Sequence, residues 1–190
     1  MTPSPSRRRF LATAGAASTA ALAGCTSFAR RVSPRYEVTT QPSIGETHIT
    51  FFDGRSQLAN VTVRVGSPAY GPARVETLYS GGVDQLLDYR LRLRPRTPDG
   101  TPCNVALRRP EAGFPEFRFG PAPDYDWTEF VVDEFDGGWR GTFGVGFDIT
   151  PWEPTDRVTL DVDLRATVSD SSVLRPFVVE ARTEAESRAV

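Results

Sequence analysis

Between Arg157 and Val168 the chain alternates without a break. Val158, Leu160, Val162, Leu164, Ala166 and Val168 fall on one side; Thr159, Asp161, Asp163, Arg165 and Thr167 fall on the other. A period of two is strand geometry, because successive side chains of a strand point to opposite faces. One face of such a strand is buried and the other is wet, so the segment needs a second layer to pack against. The same alternation recurs in Val61, Val63 and Val65, and again in Leu87, Tyr89, Leu91 and Leu93, which are interleaved with Asp88, Arg90, Arg92 and Arg94.

Further strands are expected at His48 to Phe52, Val75 to Tyr79, Phe117 to Phe119 and Leu174 to Ala181. Trp127 to Phe135 and Trp139 to Ile149 flank Asp136-Gly137-Gly138, where glycine supplies positive φ without a Cβ clash, so they read as a hairpin. Phe143, Val145, Phe147 and Ile149 are expected to face the core. Turn residues recur about every ten positions, as in Gly66 to Pro72 and Pro95 to Pro102, and helical periodicity is nearly absent. The expectation is an all-β antiparallel β-sandwich of immunoglobulin-like or jelly-roll type with about eight to ten strands. It occupies residues 45–183, between a Pro- and Arg-containing tether at 25–44 and a tail at 184–190.

The amino terminus follows different rules. Ser6-Arg7-Arg8-Arg9-Phe10-Leu11 precedes a weakly apolar, Ala-rich run from Ala12 to Leu22, the order of an export signal. It resembles twin-arginine (Tat) signal peptides, matching their Ser-Arg-Arg-x-Phe-Leu pattern through Arg7, Arg8, Phe10 and Leu11. Leu22-Ala23-Gly24-Cys25 resembles the lipobox of lipoproteins, which implies cleavage after residue 24 and a lipid on Cys25. Together the motifs resemble those of surface lipoproteins of halophilic archaea, with high-GC bacteria as the other source. The implied partners are the Tat translocase during export and the membrane through the anchor, with the domain on the outer face of the cytoplasmic membrane. Cleavage near Ala21 or Ala23 and secretion is the alternative.

Charge bears on partners. Without residues 1–24 the chain keeps 19 arginines, no lysine and 24 acidic residues, a net charge of −5 that argues against nucleic acid. No run of about 18 or more apolar residues exists to make an ordinary spanning helix. With Cys25 lipidated, Cys103 has no partner for a disulfide. A single histidine, His48, leaves a Cys103–His48 dyad the one thiol mechanism to consider.

No nucleophile elbow, zinc motif, Cys-x-x-Cys pair or phosphate loop is present, so no catalytic, cofactor or metal residue is nominated. Paired carboxylates are the route open to a His-poor hydrolase. Asp124, Asp126, Glu129, Asp133, Glu134 and Asp136 offer hard oxygen ligands of the kind Ca²⁺ takes, but strand alternation keeps them from all converging. Tyr125 and Trp127 beside these acids have the composition of sugar-binding surfaces, while packing is the commoner role of such aromatics. Arg90, Arg92, Arg94 and Arg96 read as a charge ladder against Asp161 and Asp163, or as a face for an anionic ligand. Asn60-Val61-Thr62 is an N-glycosylation sequon. The functional expectation is a lipid-anchored binding or interaction module for a surface ligand, a glycan or a protein. The alternatives are a carboxylate-based hydrolase and a structural envelope protein.

Overall fold

The computed structural model describes residues 37–43, 45–53, 55–69, 71–81, 85–108, 110, 114–169 and 176–187. Eleven strands run through them: β1 (Glu37–Ser43), β2 (Glu46–Asp53), β3 (Ser56–Val65), β4 (Ala73–Gly81), β5 (Gln85–Arg96), β6 (Cys103–Leu107), β7 (Arg118–Pro121), β8 (Thr128–Val132), β9 (Thr142–Pro151), β10 (Thr159–Ser169) and β11 (Phe177–Glu186). They form two antiparallel sheets, ordered β1-β2-β3-β4-β9-β6 and β11-β10-β5-β8-β7. This is the expected β-sandwich, with one strand more than the expected range.

Alternation built the core as read. Val158, Leu160, Val162, Leu164, Ala166 and Val168 are buried, and so are Phe143, Val145, Phe147 and Ile149 from the facing sheet. Both sets bury against each other because each sheet has one apolar face and no other way to remove it from water. In β5 the alternation slips. A bulge opposite Thr167 and Val168 turns Leu86 inward and leaves Leu87 half-buried, although Leu87 is in phase with Tyr89, Leu91 and Leu93.

The expected hairpin around Asp136-Gly137-Gly138 is not one. Gly137 and Gly138 do adopt φ of 70° and 77°, and Gly138 N–H closes a turn on the Phe135 carbonyl at 2.7 Å. The turn, however, carries the chain from β8 in one sheet to β9 in the other, so the flanking strands never pair. Phe135 and Trp139 instead hydrogen-bond to the β5 segment at Leu87 and Leu86. A Cβ on Gly138 would stand 2.9 Å from that of Gln85, so glycine is needed there for close approach as well as for φ.

Two strands escaped the sequence reading. β1 lies in the span read as tether; all seven of its residues are exposed, and Pro42 is tolerated because β1 is an edge strand. β6 forms the opposite edge of the same sheet. β11 also ends later than expected, at Glu186. Edge strands bury little, so their sequences carry weak alternation; ladder hydrogen bonds to β2 and β9 hold them.

Candidate functional site

At one end of the sandwich the sheet edges β6 and β7 part around an open cleft of about 500 Å³. Its lining includes apolar Val105, Phe119 and Pro121 along with polar Asn104, Thr128 and Asp126. Among the described residues Asp126 is the only charged one that lines it. The β7–β8 loop, residues 122–127, contributes Tyr125, Asp126 and Trp127 to its lining.

That loop is tightly specified. Ala122 N–H donates to the Trp127 carbonyl at 2.8 Å, and Tyr125 N–H donates to the Ala122 carbonyl at 2.9 Å. Asp124 reaches back to Arg92 at 3.6 Å. Trp127 shares the outward phase of Glu129, yet its ring is buried: the Arg94 and Arg182 guanidinium carbons lie 4.9 and 5.1 Å from its centroid. Cation–π contacts of this kind contribute about 0.5–1 kcal/mol each and fix the root of the loop. At the tip, Tyr125 has φ 57°, the one left-handed conformation of a non-glycine residue among the described residues. That conformation costs an L-residue with a large side chain roughly 1–2 kcal/mol. The outcome is a tyrosine ring 85% exposed at the mouth of the cleft.

A second exposed aromatic lies at the same end. Pro151 pairs with Cys103 on the cleft wall, and the next residue, Trp152, donates its N–H to Pro102 at 3.0 Å and is 68% exposed. Sequence reasoning paired Tyr125 with Trp127 and overlooked Trp152. The structure tucks Trp127 into the cleft wall beneath two arginines and brings the Trp152 backbone to this end from another loop. The available signal was Pro151-Trp152-Glu153-Pro154, a tryptophan in a proline-flanked turn with no alternating pattern to bury it.

The acidic segment divides instead of converging. Asp124 and Glu129 both engage Arg92, Asp133 forms a two-pronged pair with Arg118, and Asp126 faces the aromatic cleft. Asp133, Glu134 and Asp136, with Glu116 and Arg118, line a cleft of about 590 Å³ at the other end, beside Phe117 and Trp139. Among the described residues no group of three or more His, Cys, Asp or Glu side chains is placed to hold a metal ion.

The charge ladder forms with altered partners. Arg94 and Arg96 both bind Asp161 at 2.7 Å, and Arg96 also reaches Glu184. Arg92 stands opposite Asp163 in the register but takes Glu129 at 2.8 Å on the neighbouring strand. Arg90 faces Arg165, whose own partner is Glu180 at 3.6 Å. Asp161 is on the outward side, as its phase requires, but is 9% exposed beneath its arginines. Burial raises its carboxyl pKa, and hydrogen bonds from Arg96 and Arg94 outweigh that, leaving it below the ordinary value.

Cys103 and His48 are separated by the full run of strands β3, β4 and β9. At about 4.8 Å per strand they are too far apart for a dyad. Burial and nearby Asp99 also push the Cys103 thiol upward, away from thiolate. Asn60 lies within β3, its Nδ2 donating to Thr50 Oγ1 at 2.9 Å and its Oδ1 accepting from Thr62 at 3.2 Å, so the nitrogen a glycan would take is already engaged. Cys25, Arg7, Arg8, Phe10 and Leu11 lie outside the described residues.

Fold and cleft together define an antiparallel β-sandwich with an open, aromatic-rimmed recess at one end. Within that class the chain belongs to the DUF8121 family, described as a domain of unknown function, whose family model matches residues 35–186. The match starts just before β1 and stops at the last residue of β11, so the family domain is the sandwich itself. No curated protein matches the chain.

Proposed function

We propose that this protein is a lipid-anchored cell-surface binding module, exported folded and held at the outer face of the membrane through Cys25. The observation that carries the binding role is Tyr125, held in a left-handed conformation with its ring in water beside an open cleft. Backbone strain that exposes an apolar group costs stability twice, and ligand recognition is the usual compensation. The anchor reading comes from the resemblances around Arg7, Arg8 and Cys25.

Fractionation tests the anchor. The parent protein is expected in the membrane fraction and in the detergent phase, and Cys25→Ser is expected in the medium or as unprocessed precursor. A lipid's two long chains transfer with roughly 0.8 kcal/mol per buried methylene, which makes the attachment lasting. Replacing Arg7 and Arg8 together by Lys is expected to leave folded precursor in the cytosol, because ammonium groups do not reproduce paired guanidinium geometry. An unmodified Cys25 by intact mass of the mature protein would overturn the lipoprotein reading in favour of secretion.

A further inference from the structure

We infer that the cleft between β6 and the β7–β8 loop binds a neutral glycan, with Tyr125 and Trp152 as stacking platforms; this names the ligand class for the binding role proposed above and rests on it.

Three observations select that chemistry. The first is the pair of exposed rings, brought to one end of the molecule by separate loops. The C–H faces of a pyranose are apolar and weakly positive, so they pack on the negative face of an aromatic ring, while the hydroxyls at the edge of the sugar need donors and acceptors. The second is the polar set beside the rings: the Asp126 carboxylate, the Asn104 amide and the Thr128 hydroxyl border the same opening. A carboxylate accepts strong hydrogen bonds from vicinal hydroxyls, and an amide both donates and accepts.

The third is charge. Among the described residues no arginine lines the cleft, and the guanidinium groups around its root face other partners. Arg92 serves Glu129 and Asp124, Arg94 serves Asp161 and Trp127, Arg96 serves Asp161 and Glu184, and Arg182 lies over the Trp127 ring. An acidic polysaccharide or a phosphorylated ligand would meet the Asp126 carboxylate with no basic side chain on the lining to offset the repulsion. A neutral chain of sugars meets no such opposition. The recess is also open to solvent, which suits a segment of a polymer better than a small molecule requiring enclosure.

The experiment uses the full chain, extracted in a polyoxyethylene detergent so that no sugar head group competes. It is titrated calorimetrically with neutral tetrasaccharides of gluco, manno and galacto configuration, with tetragalacturonate as the acidic counterpart and a proline-rich peptide as the alternative occupant of an aromatic groove. Saturable binding of at least one neutral tetrasaccharide is expected, with tetragalacturonate binding at least about tenfold more weakly. Tyr125→Ala and Trp152→Ala are each expected to weaken the neutral sugar at least about tenfold with an unchanged melting temperature, since both rings lie in solvent. Tyr125→Phe is expected to retain binding, because the ring face and not the hydroxyl carries the contact.

Absence of binding to all three neutral sugars would overturn the inference, as would preferred binding of the acidic one or of the peptide. Sugar binding that survives both alanine substitutions would overturn the assignment to this cleft. None of these outcomes bears on the anchor, which fractionation of Cys25→Ser reads separately. A binding role without glycan would show as capture of the peptide or of a protein partner lost in Tyr125→Ala.

Discussion

The outer faces of the two sheets solve the same problem in different ways. On the face carried by β5, β8, β10 and β11, charges are laid side by side: Arg92 with Glu129, Arg94 and Arg96 with Asp161, Arg96 with Glu184, and Arg165 with Glu180. On the face carried by β2, β3, β4 and β9, short polar side chains are bonded to one another among fewer ion pairs. His48 bonds Thr62 at 3.0 Å, Thr62 bonds Asn60 and Asn60 bonds Thr50, while Arg64 and Glu46 form an ion pair at the border. Next to that chain of short side chains, Gly144 and Gly146 leave a trough of about 250 Å³ lined also by Leu78, Arg64, Glu76 and Arg108.

The difference shows what long charged side chains accomplish on a sheet. Arginine stems and paired carboxylates cover the backbone and hide Trp127, so that face is closed and its order depends on ion pairs. Hydroxyls and glycine leave the backbone close to the surface and depend little on charge. The cleft inherits its rigidity from the charged face, since Arg92 holds Asp124, and Arg94 with Arg182 holds Trp127.

The largest expected effect lies where both faces share a core. Val162 is fully buried on the inner side of β10, one residue from Asp161 on the outer side. Val162→Asp places a charge in the apolar layer and is expected to cost about 3–5 kcal/mol, read as a fall in the urea midpoint. If it proved harmless, β10 would have to be able to slip by one residue and exchange its faces.

Asp161→Asn tests the charged face directly. Asp161 is buried under Arg94 and Arg96, which are themselves substantially exposed, so a loss of about 1–2 kcal/mol is expected. The pH dependence has a definite sign. The folded carboxyl is a stronger acid than the unfolded one, so its stabilisation is complete above the unfolded-chain value near about 3.9. It is lost as pH falls through the lower folded value. The parent should therefore lose stability more steeply than Asp161→Asn below about pH 4, in parallel denaturation curves. Equal slopes would mean that Asp161 is not the acid-labile carboxylate of this face.

Arg92→Ala is expected to cost about 1 kcal/mol, and less as salt is raised, because partly exposed pairs are weak and screened. It also releases Asp124, so cleft binding should weaken along with stability. Retention of full binding would show that Trp127 alone suffices to hold the loop. The smallest effect belongs to the face of β2, β3, β4 and β9. A Cβ on Gly144 would meet Leu78 Cδ1 at an ordinary 3.6 Å, so Gly144→Ala is expected to stabilise the strand by roughly 0.5 kcal/mol, independent of salt. A loss there would indicate that the trough needs its open backbone.

Much of this was legible in the residues themselves. Strict alternation in β10 and β9 determined which side chains face the core, because a strand has only two faces and water leaves only one assignment for Val162 or Phe147. Outward placement of the Arg90-to-Arg94 stripe followed by the same logic, and Tyr125 was singled out by its acidic neighbours. Local pattern does not encode which strands become neighbours, and there only tertiary structure decided. The Gly137-Gly138 turn has hairpin chemistry yet crosses between sheets. Arg92 found its carboxylate on β8 instead of β10, and β1 became a strand through ladder bonds with no buried residue to announce it. The cleft is of the same kind: Trp127 and Trp152 are equally apolar in sequence. Two guanidinium groups, from β5 and β11, cover the first, while the second stays 68% exposed, so the exposed partner of Tyr125 was chosen by contacts between residues far apart along the chain.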